Sequence, residues 1–299
     1  ARNIGLVGST KDKSLLLFIF LGIFTSLLSS IFSKLFFEKI SHLNELSDLT
    51  NIPVLGGMTF IKDLKKILEI NFKSKDNFIE SLRSIRTSMN FLLESNVNNS
   101  NNFRSFLITS IHPGEGKTFT SISLARIFAI SGKKVLVVDF DMHKPKVHKE
   151  LNIENKIGNS TNLSSKTMIE DTINEVEENF FVMTSGPVPP NPSELVLSEK
   201  VKELFDFASS NFDYLFIDTP PVGLISDALV LSSIVDHSIF VLNTKMAKKT
   251  SLDFLDDIIT KSKINSKGII LNGIKKNRFK YYYGKYGYGY GYGYGYGYG

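Results

Sequence analysis

The chain has 299 residues, and 35 Lys+Arg against 30 Asp+Glu leave it a formal charge of +5. Its 42% hydrophobic and 22% charged residues are ordinary globular usage, which excludes collagenous, repeat-only and wholly disordered readings. Cysteine is absent, so disulfide scaffolds, thiolate metal sites and cysteine nucleophiles are excluded together. With both end segments set aside, roughly 200 residues remain, enough for one globular domain with its own core.

Residues 1–13 form a short stub. Between Lys13 and Lys34 lies an uncharged run, Ser14–Ser33, dense in Leu, Phe and Ile. A helix of that length rises about 30 Å, the thickness of a bilayer's hydrocarbon core, so 14–33 is expected to span a membrane. A buried core helix is the competing reading. Lysines flank the run on both sides, so loop charge does not orient it. The chain starts at Ala1 rather than Met, and a preceding segment is expected to have been removed. Residues 34–75, with an extended Ile52-Pro53-Val54-Leu55-Gly56-Gly57, read as a juxtamembrane linker. A helix is expected from Asp76 to Glu94, because Phe78, Leu82, Ile85, Met89 and Leu92 share one face.

From Phe103 onward short apolar runs alternate with helical patterns. The runs are 106–109, 135–140, 180–183, 214–217, 239–242 and 268–271; the helical patterns are 117–131, 193–209 and 248–263. Such alternation predicts an α/β domain over 76–280, a mainly parallel sheet with helices on both faces.

The first run leads into Pro113-Gly114-Glu115-Gly116-Lys117-Thr118-Phe119 and then a helix. Glycines there let successive backbone N–H groups face a phosphate, beside the positive end of the helix dipole. Lys117 would reach the β- and γ-phosphates of a nucleotide, and the Thr118 hydroxyl would ligate Mg²⁺. Two other strands end in carboxylates: Asp139 and Asp141 on one, Asp218 on the next. Ligands of open parallel sheets lie at the carboxyl ends of the strands, where the phosphate loop also sits. The loop and three carboxylates together predict a site for a magnesium-bound triphosphate.

These segments resemble Walker A, Walker A′ and Walker B of the bacterial tyrosine kinases, the cytoplasmic domains of polysaccharide co-polymerases. Glu80-x-x-Arg83-x-x-Arg86-Thr87 is similar to that family's oligomerisation motif, and Ser185–Leu195 to its loop after the third strand. The resemblance implies a P-loop NTPase-like fold and a protein-tyrosine kinase that uses ATP and Mg²⁺. Thr118, Asp139 and Asp218 would form the metal shell, and Asp139 or Asp141 would accept or orient the tyrosine proton. A phenol with a pKa near 10 is a poor nucleophile at neutral pH, so a carboxylate within hydrogen-bond reach is useful. Asn272 matches the position where the family contacts adenine. The phosphoacceptors would be Tyr281, Tyr282, Tyr283, Tyr286, Tyr288, Tyr290, Tyr292, Tyr294, Tyr296 and Tyr298, presented in trans within a homo-oligomeric ring, octameric by resemblance, that Glu80, Arg83 and Arg86 build. Implied partners are the membrane, polysaccharide polymerase and export machinery, and a tyrosine phosphatase. The implied location is the bacterial inner membrane, with the kinase domain cytoplasmic. The chain departs from the family pattern at His143 and Lys144, where arginines are usual, and at Phe119, where Ser or Thr is common.

The tail, 281–299, alternates Gly and Tyr and is expected to be disordered, its glycines letting successive phenols reach one site. A self-associating low-complexity tract is the other reading of it. A P-loop ATPase that switches dimerisation, or a nucleotide-set scaffold, are the other readings of the domain. The basic group Lys275, Lys276, Arg278 and Lys280 suits lipid headgroups or simple solubility. Nucleic acid is not expected as a partner, since the tail's aromatics lack interleaved Lys or Arg.

Overall fold

The computed structural model describes residues 8–37, 39–61, 71–72, 74, 76–94, 103–264 and 266–275. The tyrosine tail and Lys276, Arg278 and Lys280 lie outside them. Helix α1 (Gly8–Phe37) carries the apolar run, and its Lys13–Phe32 window is long and apolar enough to cross a membrane. None of that window is buried, and its Leu, Ile and Phe side chains are exposed all around the helix. A core helix would bury one stripe against the protein, so that alternative loses its support.

Part of the segment expected as a linker, residues 40–59, instead belongs to the domain. It forms α2 (Leu43–Leu49) and strand β1 (Val54–Thr59). Strand β1 runs parallel to the last strand of the sheet, from Val54 opposite Ile269 to Thr59 opposite Ile274. Ile40, Leu43, Leu46 and Ile52 are buried in the main core. Its glycines hid the strand from a hydrophobicity pattern. A Cβ at Gly57 would stand 2.2 Å from the end of the Ile274 side chain and 3.3 Å from the Leu271 carbonyl oxygen.

Helix α3 (Asn77–Glu94) follows the predicted bounds and buries Phe78, Ile79, Leu82, Ile85 and Met89. Beyond it come β2 (Arg104–Ser110), α4 (Lys117–Ile130), β3 (Val135–Asp139), α5 (Val147–Leu151), α6 (Asn159–Leu163), β4 (Ile173–Glu177) and β5 (Phe180–Met183). The chain continues through α7 (Pro192–Val196), α8 (Lys200–Asn211), β6 (Tyr214–Asp218), α9 (Asp227–Ser232), β7 (His237–Asn243), α10 (Lys249–Lys261) and β8 (Lys267–Ile274). The helix expected over 193–209 is thus two helices, with the break at Leu197–Glu199.

The strands form one eight-stranded sheet in the order β1-β8-β7-β2-β6-β3-β5-β4, parallel except for the β4–β5 pair at one edge. One face buries side chains of α2 and α6–α10, the other those of α3–α5. Strands covered on both faces read as continuous apolar runs, which is why β3 (Val-Leu-Val-Val-Asp) was legible. The central strands β2, β6 and β3 are in register: Ile108 faces Asp218, and Asp139 faces Asp218 on the other side. Register alone therefore places the two strand-end carboxylates side by side at the end of the sheet where the phosphate loop begins.

Candidate active site

The loop between β2 and α4 is shaped by two left-handed glycines, Gly114 at φ +86° and Gly116 at φ +94°. A Cβ on Gly116 would also stand 2.2 Å from the Asn272 amide nitrogen. That nitrogen donates to the Glu115 carbonyl at 2.9 Å, so Asn272 on β8 braces the loop from behind. Glu115 is buried; its carboxylate accepts the His112 amide at 2.8 Å and the Asn243 amide at 3.4 Å. Glu115 and Asn272 are thus loop supports. The cavity in front of the loop, about 390 Å³, is lined by neither; Pro113, Gly114, Gly116, Lys117, Thr118 and Phe119 do line it, facing Asp141 and His143.

Burial pushes the Glu115 carboxyl up to about 7, against the backbone amides that pull it down. A raised pKa means the folded state holds the proton more tightly than the unfolded chain. Its contribution to stability is therefore full below the ordinary carboxylate range and is lost as pH rises through about 7. Glu115→Gln should make the stability lost between about pH 4.5 and pH 7 smaller by up to about 3 kcal/mol, read by urea unfolding at the two pH values. An unchanged pH slope would show that Glu115 is not strained.

In the cavity the Lys117 ammonium is paired with Asp141 at 2.8 Å and lies 3.7 Å from Asp218. The Thr118 hydroxyl donates to Asp218 Oδ2 at 2.7 Å. Burial lowers the Lys117 pKa and the charges of Asp218 and Asp141 raise it; the carboxylates prevail and hold it cationic. Asp139 and Asp218 are both pushed up. Burial is the main cause; for Asp139 the Asp218 charge adds to it, while for Asp218 Lys117 works against it. The expected site residues Lys117, Thr118, Asp141 and Asp218 do come together. Asp139 lies one step behind: its oxygens accept the backbone amides of Asp141 (2.9 Å) and Val147 (3.3 Å), which fixes the turn that presents Asp141.

The donor set fits a hard divalent cation carried in with a nucleotide. Asp218 Oδ1 is buried without a hydrogen-bond partner, beside the Thr118 hydroxyl. No three acidic or imidazole groups among the described residues are placed to hold a metal alone. This suits Mg²⁺, which takes one or two protein oxygens and completes its shell with phosphates and water.

Asp227, at the start of α9, was missed because an acidic residue in a helix's first turn reads as a dipole partner. It is buried, and its Oδ2 lies 3.3 Å from Nε2 of the half-buried His143. The histidine that stands in the usual arginine position is therefore held in place by a carboxylate. The cavity also has an apolar wall, formed by Pro220, Pro221, Leu224 and Ile225.

The proposed assembly helix α3 divides its charges. Glu80 and Arg83 are part-exposed and paired with each other. Arg83 also donates to the carbonyls of Phe72 and Ser74. Arg86 is turned into its own chain and donates to the Ile127 carbonyl at 3.0 Å, near the end of α4.

Residues 103–267, more than half of the chain, match the family described as an AAA domain. The chain is 36% identical over 209 residues to the tyrosine-protein kinase YwqD of Bacillus subtilis, covering 70% of this chain and 86% of that protein. It is 34% identical over 222 residues to CapB of Staphylococcus aureus, covering 73% and 95%. The solved kinase domain of Escherichia coli tyrosine kinase ETK superposes with a TM-score of 0.71 at 28% identity, over 87% of this chain and all of that domain. With the phosphate loop, the strand-end carboxylates and the parallel sheet in place, the chain belongs to the bacterial tyrosine-kinase family, the ATP-binding P-loop protein-tyrosine kinases of capsule and exopolysaccharide systems.

Proposed function

We propose that the chain is anchored in the bacterial inner membrane by α1, with its kinase domain on the cytoplasmic side where ATP is found. There it transfers the γ-phosphoryl group of ATP to tyrosines of the Tyr281–Tyr298 cluster, one protomer acting on the tail of its neighbour. The observation that carries this reading is the Lys117–Asp141 ion pair at 2.8 Å inside the cavity. Phosphates offer Lys117 a stronger partner than one carboxylate, and turning to them leaves Asp141 unpaired at the cavity wall. Asp141 then accepts the phenolic proton as the tyrosine oxygen bonds to the γ-phosphorus, while the bond to the β-phosphate oxygen breaks and ADP leaves. Asp139 positions Asp141 through its backbone amide.

Mg²⁺ would be held by the Thr118 hydroxyl and Asp218. When bound it neutralises charge on the β- and γ-phosphates. The apolar wall of Pro220, Pro221, Leu224 and Ile225 offers a tyrosine ring a dry surface. The half-exposed Glu80 and Arg83 of α3 support ring assembly. Phosphates of about −1.5 to −2 charge each, clustered on the tails, would repel one another and loosen that ring. The partners in this reading are polysaccharide polymerase and export machinery and a tyrosine phosphatase.

The test is intact-mass analysis of the chain and its Lys117→Met variant, with mapping of the tail peptide. Phosphate additions on Tyr281–Tyr298 that vanish in the variant are expected. A bare tail on a protein that still binds ATP would instead favour a nucleotide-set scaffold.

A further inference from the structure

One cluster of charges has no part in the chemistry above. Two residues past α1, Lys39 forms an isolated antiparallel bridge with Lys248, between β7 and α10, and the Ile40 amide donates to the Ala247 carbonyl at 2.9 Å. Next to it, Lys245 lies with its ammonium 4.8 Å from the centre of the Phe60 ring. Phe60 follows β1, is 45% exposed, and donates its amide to the carbonyl of Ile274, directly before Lys275. These contacts place Lys39, Lys245, Lys248, Lys249, Lys275 and an exposed phenylalanine together beside the ends of β1, β7 and β8. Lys39, Lys245, Lys249 and Lys275 are exposed.

Lys249 opens α10, whose first turn holds no acidic residue, although the positive end of a helix dipole disfavours cations. Neighbouring acidic groups neutralise the group only in part. Glu45 accepts the Ser41 amide and Asp257 pairs with Lys261, leaving Asp48 in α2 and Asp253 and Asp256 in α10 exposed. At Lys249 the charge works against the helix it opens, which points to a use outside the fold.

The tether says what that use is. The apolar window ends at Phe32, α1 runs on to Phe37, about 8 Å further along the helix, and Lys39 is two residues beyond that. That distance is close to the Debye length of about 8 Å at physiological ionic strength. We infer that Lys39, Lys245, Lys248, Lys249 and Lys275, with Phe60, form a docking face for anionic lipid headgroups, which seats the kinase domain on the bilayer beside its own anchor. The inference rests on the reading of α1 as a membrane span. Phe60 supplies an aromatic ring suited to the interface, and the lysines supply the charge.

The chain has no tryptophan, so Phe60→Trp creates a single fluorescent reporter. The full-length variant would be placed in nanodiscs of phosphatidylcholine containing a headgroup-spin-labelled lipid, with or without phosphatidylglycerol. Quenching is expected with phosphatidylglycerol at low salt and is expected to disappear at high salt. Adding Lys245→Glu and Lys249→Glu should weaken the docked population by more than about tenfold. Quenching that ignores phosphatidylglycerol and salt, in protein that resists alkaline extraction from vesicles, would overturn the docking face and leave the span standing. Release of the chain by alkaline extraction would overturn the span, and the placement of the face with it.

Discussion

A chain that begins at Asp76 should fail to fold, whereas one that begins at Lys39 should unfold cooperatively and bind ATP. The shorter chain lacks Ile40, Leu43, Leu46, Ile52, Leu55 and Met58, each no more than 4% exposed in the domain. Burying such a side chain contributes about 1.5–3 kcal/mol, so their joint loss is on the order of 10 kcal/mol even after discounting for a compact unfolded state. That is comparable to the whole stability of a typical domain, about 5–15 kcal/mol. The cut also strips β1 from β8, turning a covered strand into an open edge ready to pair with another molecule. Circular dichroism and urea unfolding of the two chains would check this. A chain from Asp76 that unfolds with the same midpoint as the chain from Lys39 would show that α2 and β1 are dispensable.

Asp218→Asn should move stability and activity in opposite directions. Asp218 is buried, in register with Asp139, and raises the Asp139 pKa by its charge. Both carboxyls are pushed up, so their contribution to folding is full below the ordinary carboxylate range and is lost as pH rises through their folded values. Removing one charge relieves that loss, and the variant should be the more stable protein near neutral pH. The asparagine oxygen still accepts the Thr118 hydroxyl, so the site keeps its shape. Phosphotransfer to the tail should nevertheless fall by about 10² to 10³, because the charge opposite the phosphates and their cation is gone. Thermal unfolding beside a timed phosphotyrosine assay would read both effects. A variant that is both less stable and fully active would refute the role given to Asp218.

Much of this site was legible along the chain. A glycine-rich loop after an apolar run, with Lys117 and Thr118, has few other uses, and β3 and β6 announce themselves as unbroken apolar runs ending in aspartate. Roles within the site were less legible. Asp139 and Asp141 stand two residues apart and look alike in the sequence. In the structure Asp139 holds the turn while Asp141 faces the cavity. Glu115 and Asn272 belong to motifs that suggest ligand contact, and the structure adds that their side chains brace the loop. Asp227 lies 84 residues from His143, and only the sheet's crossover connections bring the two together.

The sequence by itself determined the apolar helix, the α/β alternation, the phosphate loop and its acidic neighbours, and the family. These are local properties: a run of apolar residues, a period, a spacing of glycines and a lysine. The tertiary structure alone decided that residues 40–59 belong to the domain, since the glycine-rich β1 is held by pairing with β8, more than two hundred residues away. It also decided which carboxylate meets Lys117, that Arg86 reaches the Ile127 carbonyl, and that five scattered lysines gather beside the end of α1. The reason is the same in each case. A side chain's role is set by what stands opposite it, and in a parallel sheet the neighbour across the ladder is always distant along the chain.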